Sequence, residues 1–390
     1  MRIRLSIAAA LVLAMSAPVA AGQAEVTALK SVFSGDRPVS ELFASSFLAE
    51  VPPEQISRLA DELKATIGPV VSVTQRSANT YLIRTATHEV PVDMVLDDEG
   101  RIIGLLLQPA MTVAADHTVI LDQLRQAAPQ VSFLVTRDGE TLYAEDPDAA
   151  MAVGSAFKLG VLKVLNDEIA AGKRNWNDVI ALTDADRSLP SGIVQNWPAG
   201  SPITLHSLAA LMISLSDNTA TDTLMRVVGR DAVAAALGTA NVLTTREFFV
   251  LKADDALRRR YLAADAGSMP SVLADIAAAP LPTEGQVGQP HQQGVEFYVP
   301  VQRLCALIDA LADLDVMQIN PGVADRATWQ RVAFKGGSET GVMNLTTATL
   351  GHDGHRYCVS ATFNGPAALD RSAVSRAYAS LVRLLANPAD

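Results

Sequence analysis

Cysteine is scarce in this chain: two in 390 residues, Cys305 and Cys358. They leave no metal-type CxxC pair and room for at most one disulfide. Cys305 lies in an apolar helical stretch (PVQRLCALIDAL) and Cys358 in a strand-like one (RYCVSATF). Two separate buried thiols are expected, with a disulfide as the alternative. Charge is also scarce, at 19% of residues, and unbalanced, with 42 acidic against 31 basic side chains and a formal charge of −11. An acidic chain with no basic run excludes nucleic acid and anionic membranes as expected partners. Beyond the N-terminus no apolar run is long enough to span a bilayer. Hydrophobic residues make up 49% of the chain. A sizeable core is therefore available, and the length implies two domains, or one large domain with an appendage.

The N-terminus, MRIRLSIAAALVLAMSAPVAAGQA, has the pattern of a signal peptide. Arg2 and Arg4 supply the positive start, Leu5 to Ala17 a short apolar run, and Val19-Ala20-Ala21 the small residues of a cleavage site. Residues 1–21 are read as removed, with Gly22-Gln23-Ala24 as an alternative site. The mature protein is expected to be exported and soluble, in a bacterial periplasm, a compartment that permits disulfides.

Residues 25–112 read as a small α+β domain. A helix is expected over Ser40 to Leu48, pairing Phe43 with Phe47. A second is expected from Pro53 to Ile67, with Ile56, Leu59, Leu63 and Ile67 on one face and Gly68 as its end. Strands follow at Val70 to Thr74, Thr80 to Thr85, Val90 to Leu96 and Arg101 to Leu107, with a turn at Asp97-Asp98-Glu99-Gly100. Helices followed by an antiparallel meander resemble the cystatin-like or NTF2-like fold. His88 stands alone here and reads as a structural histidine.

Residues 113–390 read as the main domain. Asp116 is placed to cap a helix running to Ala127. Strands are expected at Val131 to Thr136 and Thr141 to Glu145, then a long helical tract from Ser155 to about Ala279. Strands at Val332 to Gly336, Val342 to Leu350 and Tyr357 to Phe363 follow, then a helix from Asp370 to Leu385. Strands at both ends with helices between imply a mixed αβα, α/β architecture around one antiparallel sheet, beside an all-helical subdomain.

Three short segments carry chemistry. In GSAFKLGVLK, Ser155 and Lys158 share one face of a helix. Burial depresses a lysine pKa, and a neutral amine beside a hydroxyl is a base for it. Alone, this pair reads more readily as a helix start, with Ser155 as N-cap and Lys158 reaching outwards. In LMISLSDNTATDTLM, Ser216-Asp217-Asn218 stands between two helices. Asp217 or Asn218 caps the second in the plain reading; Ser216 relays a proton and Asn218 holds a substrate carbonyl in the functional one. In VAFKGGSETGVMNLT, Lys335 precedes Gly336-Gly337-Ser338. The glycines permit close approach of a substrate backbone and the lysine offers a charge for a carboxylate, unless this is a hairpin turn.

SxxK, SDN and a K-[T/G]-G strand in this order resemble class A β-lactamases and penicillin-binding proteins. The spacings are similar too: 61 residues from Ser155 to Ser216 and 119 from Ser216 to Lys335. The resemblance covers about Asp116 to the C-terminus. It implies Ser155 as nucleophile, Lys158 as its base and Ser216 as proton carrier to the leaving nitrogen. It implies substrate binding by Asn218, Lys335, Gly337 and Ser338, and an oxyanion hole from the backbone N–H groups of Ser155 and Ser338. The implied reaction is acyl transfer to a serine, on a β-lactam or related ester or amide, without cofactor or metal.

The chain departs from that family in two places. Residues 219–334 hold no ExxLN segment, whose glutamate activates the deacylating water. The nearest carboxylates are Glu247, Asp254 and Asp255. KGG also stands where KTG is usual. The long Pro/Gly/Gln-rich stretch PLPTEGQVGQPHQQGVEF is expected as a surface loop near the pocket. The extra N-terminal domain and the missing glutamate resemble the two-domain β-lactamase-like group of the clavulanic acid gene cluster, associated with weak esterase activity. A penicillin-binding or sensor protein that acylates and stalls, and a peptidoglycan D,D-peptidase, are the alternatives. His352 and His355 read as a hairpin tip and not a metal pair. Trp197 lines either a pocket mouth or the core. The natural substrate and the oligomeric state are not legible.

Overall fold

A computed structural model describes residues 21–112, 117–288, 290 and 293–386. The signal-peptide reading, up to residue 20, lies outside them, as do Asp116 and part of the Pro/Gly/Gln-rich loop. The chain divides into two compact units, Met1–Val113 and Ala114–Asp390.

The first unit opens with α1 (Ala21–Ser34), a helix not expected from the sequence, which buries Leu29 and Phe33. In α2 (Pro53–Ile67), Pro53 sits in the first turn and Gly68 takes φ +80° at the end. The packed stripe is Ile56, Ala60, Leu63 and Ile67, and Leu59 is 49% exposed. The expectation for Leu59 fails because three residues on from Ile56 falls about 60° off the stripe at 3.6 residues per turn. The helix expected over 40–48 is two short ones, Val39–Leu42 and Ser45–Glu50. The chain breaks at Phe43, which bridges to Ile102, and the Ala44 N–H donates to the Ile102 carbonyl at 3.0 Å. The Phe43 and Phe47 rings still meet, 5.0 Å apart. Strands β1 (Val70–Gln75), β2 (Thr80–Thr85), β3 (His88–Leu96) and β4 (Ile102–Leu107) form an antiparallel meander in that order. Tyr81, Ile83, Val90, Val92 and Ile102 form its buried side.

In the second unit, α3 (His117–Gln126) leads into the hairpin β5 (Gln130–Arg137) and β6 (Glu140–Glu145). The C-terminal strands β7 (Arg331–Glu339), β8 (Val342–Leu350) and β9 (Arg356–Asn364) complete one antiparallel sheet, ordered β7–β8–β9–β5–β6. The closure is the β9–β5 pairing, with Ala361 opposite Phe133. One face carries α3 and the last helix, whose Leu124, Val374, Tyr378 and Leu381 are buried together. The other carries the helical region around α4 (Lys158–Ala170), whose Leu159, Val161, Leu162 and Leu165 are all fully buried. Each such side chain contributes roughly 1.5–3 kcal/mol of hydrophobic stabilisation.

The expected long helical tract is interrupted. Besides α4 it contains α5 (Leu205–Ser214), α6 (Asn218–Val228), α7 (Thr245–Ala253) and further helices. A two-stranded ribbon pairs Val179–Ala181 with Pro202–Thr204. The two cysteines are not separate thiols: Cys305, on α8 (Val301–Leu311), is bridged to Cys358 on β9, with Cα atoms 5.8 Å apart. An apolar helix and an apolar strand each bury a cysteine, and packing one on the other places the two sulfurs side by side. The bridge spans 53 residues. Replacing both cysteines by alanine is expected to cost about 2–4 kcal/mol, read as a lower midpoint in denaturant unfolding.

Candidate active site

Ser155 lies in a single 3₁₀ turn, Gly154–Phe157, directly ahead of α4. Its side chain caps nothing, so the helix-start reading does not hold. Gly154, at φ +49°, turns the chain into this position. One turn later Lys158 is fully buried and does not reach outwards. Its Nζ bonds the Ser216 carbonyl at 2.5 Å, the Asn218 Oδ1 at 2.6 Å and the Ser216 Oγ at 3.1 Å. Burial, aided by the Lys335 charge, holds its pKa well below the ordinary lysine value, against the pull of Asp222 and Asp217.

Ser216 occupies the turn between α5 and α6 with φ +57°, a left-handed conformation that costs a serine of order 1–3 kcal/mol. The twist sends Ser216 and Asn218 to Lys158 and Asp217 the other way. Asp217 caps α6 through the Ala220 N–H at 2.9 Å and accepts from the Ile193 and Val194 N–H groups at 2.6 and 2.9 Å. The capping reading is therefore right for Asp217. Asn218 donates to the Leu189 carbonyl at 3.0 Å, which fixes its amide.

Lys335, buried on β7, donates to the Ser216 Oγ at 3.0 Å and to the Gly336 carbonyl at 2.6 Å. Burial brings it down to about 7. KGG lies within β7 and is not a hairpin turn, since the strand runs on to Glu339. A Cβ on Gly337 would stand 2.2 Å from the Val153 carbonyl oxygen and 2.4 Å from the Ser155 nitrogen, and one on Gly154 would stand 3.1 Å from the Ser338 nitrogen. The strand thus lies hard against the turn that carries Ser155. Backbone atoms cannot yield as a side chain does. Gly337→Ala is expected to cut kcat/KM by about 10²-fold, and to cost about 1–3 kcal/mol of stability.

Ser338 is exposed, and its Oγ accepts from Arg371 Nη2 at 2.8 Å. Arg371 begins α9 (Arg371–Ala386) and lines the same cleft as Ser155, Ser216 and Lys335. It stands 33 residues beyond Ser338, across two strands, and carries no local motif that would find it. On the other side of Ser155 the cleft is lined by Phe248, Phe249 and Phe297. Phe297 stacks on Phe157 with ring centroids 3.8 Å apart. Glu284, Val287 and Gly288 of the Pro/Gly/Gln-rich loop line this side as well.

The three carboxylates singled out in the sequence are engaged elsewhere. Glu247 receives Arg230 at 2.6 and 2.8 Å and closes a capping box with Thr244. Asp254 caps the helix that follows it, and Asp255 pairs with Arg258 at 2.5 Å. Glu339 does line the cleft and is bonded to the buried Lys252. Trp197 packs against the helical core. His355 bonds Asp138 at 2.6 Å, and no group of three metal-ligating side chains occurs among the described residues.

Residues 115–286 match the model of the Beta-lactamase enzyme family, a span that includes Ser155 to Asn218 and stops before Lys335. No curated protein sequence matches the chain. Among solved structures, a β-lactamase from Sphaerobacter thermophilus is similar at 22% identity and TM-score 0.50, over 70% of this chain and 96% of that one. An ancestral (GNCA) class A β-lactamase is 16% identical, with TM-score 0.49 over 69% and 97%. PBP-A is 15% identical, with TM-score 0.46 over 69% and 96%. The second unit therefore has a β-lactamase-like fold, an antiparallel sheet between helical layers.

Proposed function

We propose that the protein is an exported serine hydrolase that works through an acyl-enzyme on Ser155, with β-lactams or related esters and amides as substrates. The observation that carries this reading is the Ser216 hydroxyl held between two buried lysines, at 3.1 Å from Lys158 and 3.0 Å from Lys335, beside an uncapped serine. Lys158, whose pKa burial holds well below the ordinary lysine value, takes the Ser155 proton in its neutral form as Oγ attacks the carbonyl carbon. The N–H groups of Ser155 and Ser338 stabilise the oxyanion, a contribution of about 10²–10³-fold per donor. The proton passes from Lys158 to Ser216 and on to the leaving atom. Lys335, with Arg371 and Ser338 beside it, holds a carboxylate on the departing half. Arg371 replaces some of the anchoring lost with the threonine of KTG.

The disulfide supports an oxidising compartment and, with the N-terminal pattern, export to a bacterial periplasm. The first unit, helices beside an antiparallel meander, supports the cystatin-like or NTF2-like reading, and with it the likeness to the clavulanic-cluster group. The test is the intact mass of the protein over time with a penicillin and with a short cephalosporin ester. A transient adduct of one ligand mass, or its turnover, is the expected result; neither on any such substrate overturns the reading. The engagement of Glu247, Asp254 and Asp255 favours a second reading, a binder that acylates and stalls, for which the adduct persists.

Lys335 sets a pH limb. Its folded-state pKa of about 7 means that it loses its charge as pH rises through that value. For an anionic substrate, kcat/KM is expected to fall by about tenfold per pH unit above that point, while a neutral ester shows no such fall.

A further inference from the structure

Hydrolysis of an acyl-enzyme needs a group that takes a proton from water. The wall of the cleft beside Ser155 and Asn218 contains Thr245, only 3% exposed. Its Oγ1 lies 2.9 Å from Asp222 Oδ1, 2.7 Å from the Ser188 hydroxyl and 3.3 Å from the Asn218 carbonyl. Asp222 is itself buried, at 4% exposure, and stands one hydroxyl behind the cleft surface. It also accepts the Thr245 N–H at 2.7 Å and the Arg246 N–H at 2.9 Å. Those two bonds anchor the start of α7. They do not explain the third, because a valine at position 245 would fill the same space. The capping box satisfies the Thr244 and Glu247 N–H groups and Asp222 takes those of Thr245 and Arg246, and none of these bonds uses the Thr245 hydroxyl.

We propose that Thr245 and Asp222 form a proton relay for deacylation, with Thr245 touching the hydrolytic water and Asp222 acting through it. The inference rests on the acyl-enzyme reading above. The water oxygen attacks the ester carbon while one of its protons moves to Thr245 Oγ1, and the Thr245 proton moves to Asp222 Oδ1. Collapse breaks the bond between the carbonyl carbon and Ser155 Oγ. The proton returns from Asp222 through Thr245 and a pocket water to that oxygen, leaving a carboxylic acid and the free serine. Desolvation raises Asp222 to about 7, opposed by its N–H and hydroxyl donors and reinforced by Glu247. Glu247, itself held by Arg230, and Lys158 across α6 are the charged groups that act on it.

The experiment is the decay of the penicillin adduct after removal of free ligand, followed by intact mass from pH 5.5 to 8.5. In the wild type, the decay rate is expected to rise with pH through about 7. Asp222→Asn and Thr245→Val are each expected to slow decay by about 10²-fold and to abolish that rise, with adduct formation within a few-fold of wild type. Thr245→Ser, which keeps the hydroxyl, restores both. Equal lifetimes in all four proteins, or a wild-type adduct that never decays, overturn the relay and leave the nucleophile standing. Absence of both adduct and turnover in the wild type overturns the nucleophile and the relay together.

Discussion

Ser155→Ala is expected to show no mass gain with any penicillin and to lose at least about 10⁴-fold of wild-type turnover. In the proposed mechanism the substitution removes the one atom to which the acyl group bonds, so no slower covalent route remains. What persists is the background from the oxyanion hole and binding alone, as when a nucleophile is removed from a serine protease. The fold should not mask the result. Ser155 caps nothing, and alanine suits the turn that α4 continues. A thermal midpoint within a few degrees of wild type, together with an unchanged adduct, would show that the acylated group lies elsewhere.

Lys158→Met carries the second largest expected effect, a fall of about 10³-fold in the rate of adduct formation. Methionine nearly matches the volume of the lysine stem, so the loss reports the amine and not a cavity. General-base help is worth about 10²–10⁴-fold, and here burial holds the Lys158 pKa well below the ordinary lysine value, which makes the amine easier to deprotonate. The sign of the pH dependence follows. Lowering the pH protonates Lys158 and slows acylation, and the methionine variant is expected to show no such limb. The adduct should still form slowly, in contrast to Ser155→Ala, because nucleophile and oxyanion donors remain. Stability gives the control: Ser216 and Asn218 lose a buried donor, at about 1–3 kcal/mol, while the cost of burying an amine is removed. A formation rate within threefold of wild type would exclude Lys158 as the base.

Much of the fold was legible because short-range rules act within each segment. The limits of α2 follow from Pro53 and Gly68, and β2 and β8 from apolar runs between turn residues. The helix expected over 40–48 failed because a long-range bridge from Phe43 to Ile102 outweighed local pattern. Leu59 failed because a three-residue step drifts off a helical face. The helical tract from Ser155 to about Ala279 was legible as apolar periodicity, but the ribbon of Val179–Ala181 with Pro202–Thr204 inside it was not, because three-residue strands are too short to show an alternation.

The sequence by itself determined the chemistry available: a serine and a lysine one turn apart, an SDN turn, and a lysine before two glycines. Spacing along a helix or strand sets which side chains share a face, so these segments were readable singly. Only the tertiary structure decided what they do to one another. Pairing of β9 with β5 closes the two ends of the domain into one sheet and brings Lys335 within 3.0 Å of Ser216, 119 residues away. The same packing joins Cys305 to Cys358, brings Arg371 to Ser338, and puts Asp222 behind Thr245 while Glu247 turns to Arg230. The reason is physical: the burial that lowers the pKa of Lys158 and raises that of Asp222 comes from walls contributed by distant parts of the chain, and no local pattern records which walls will meet.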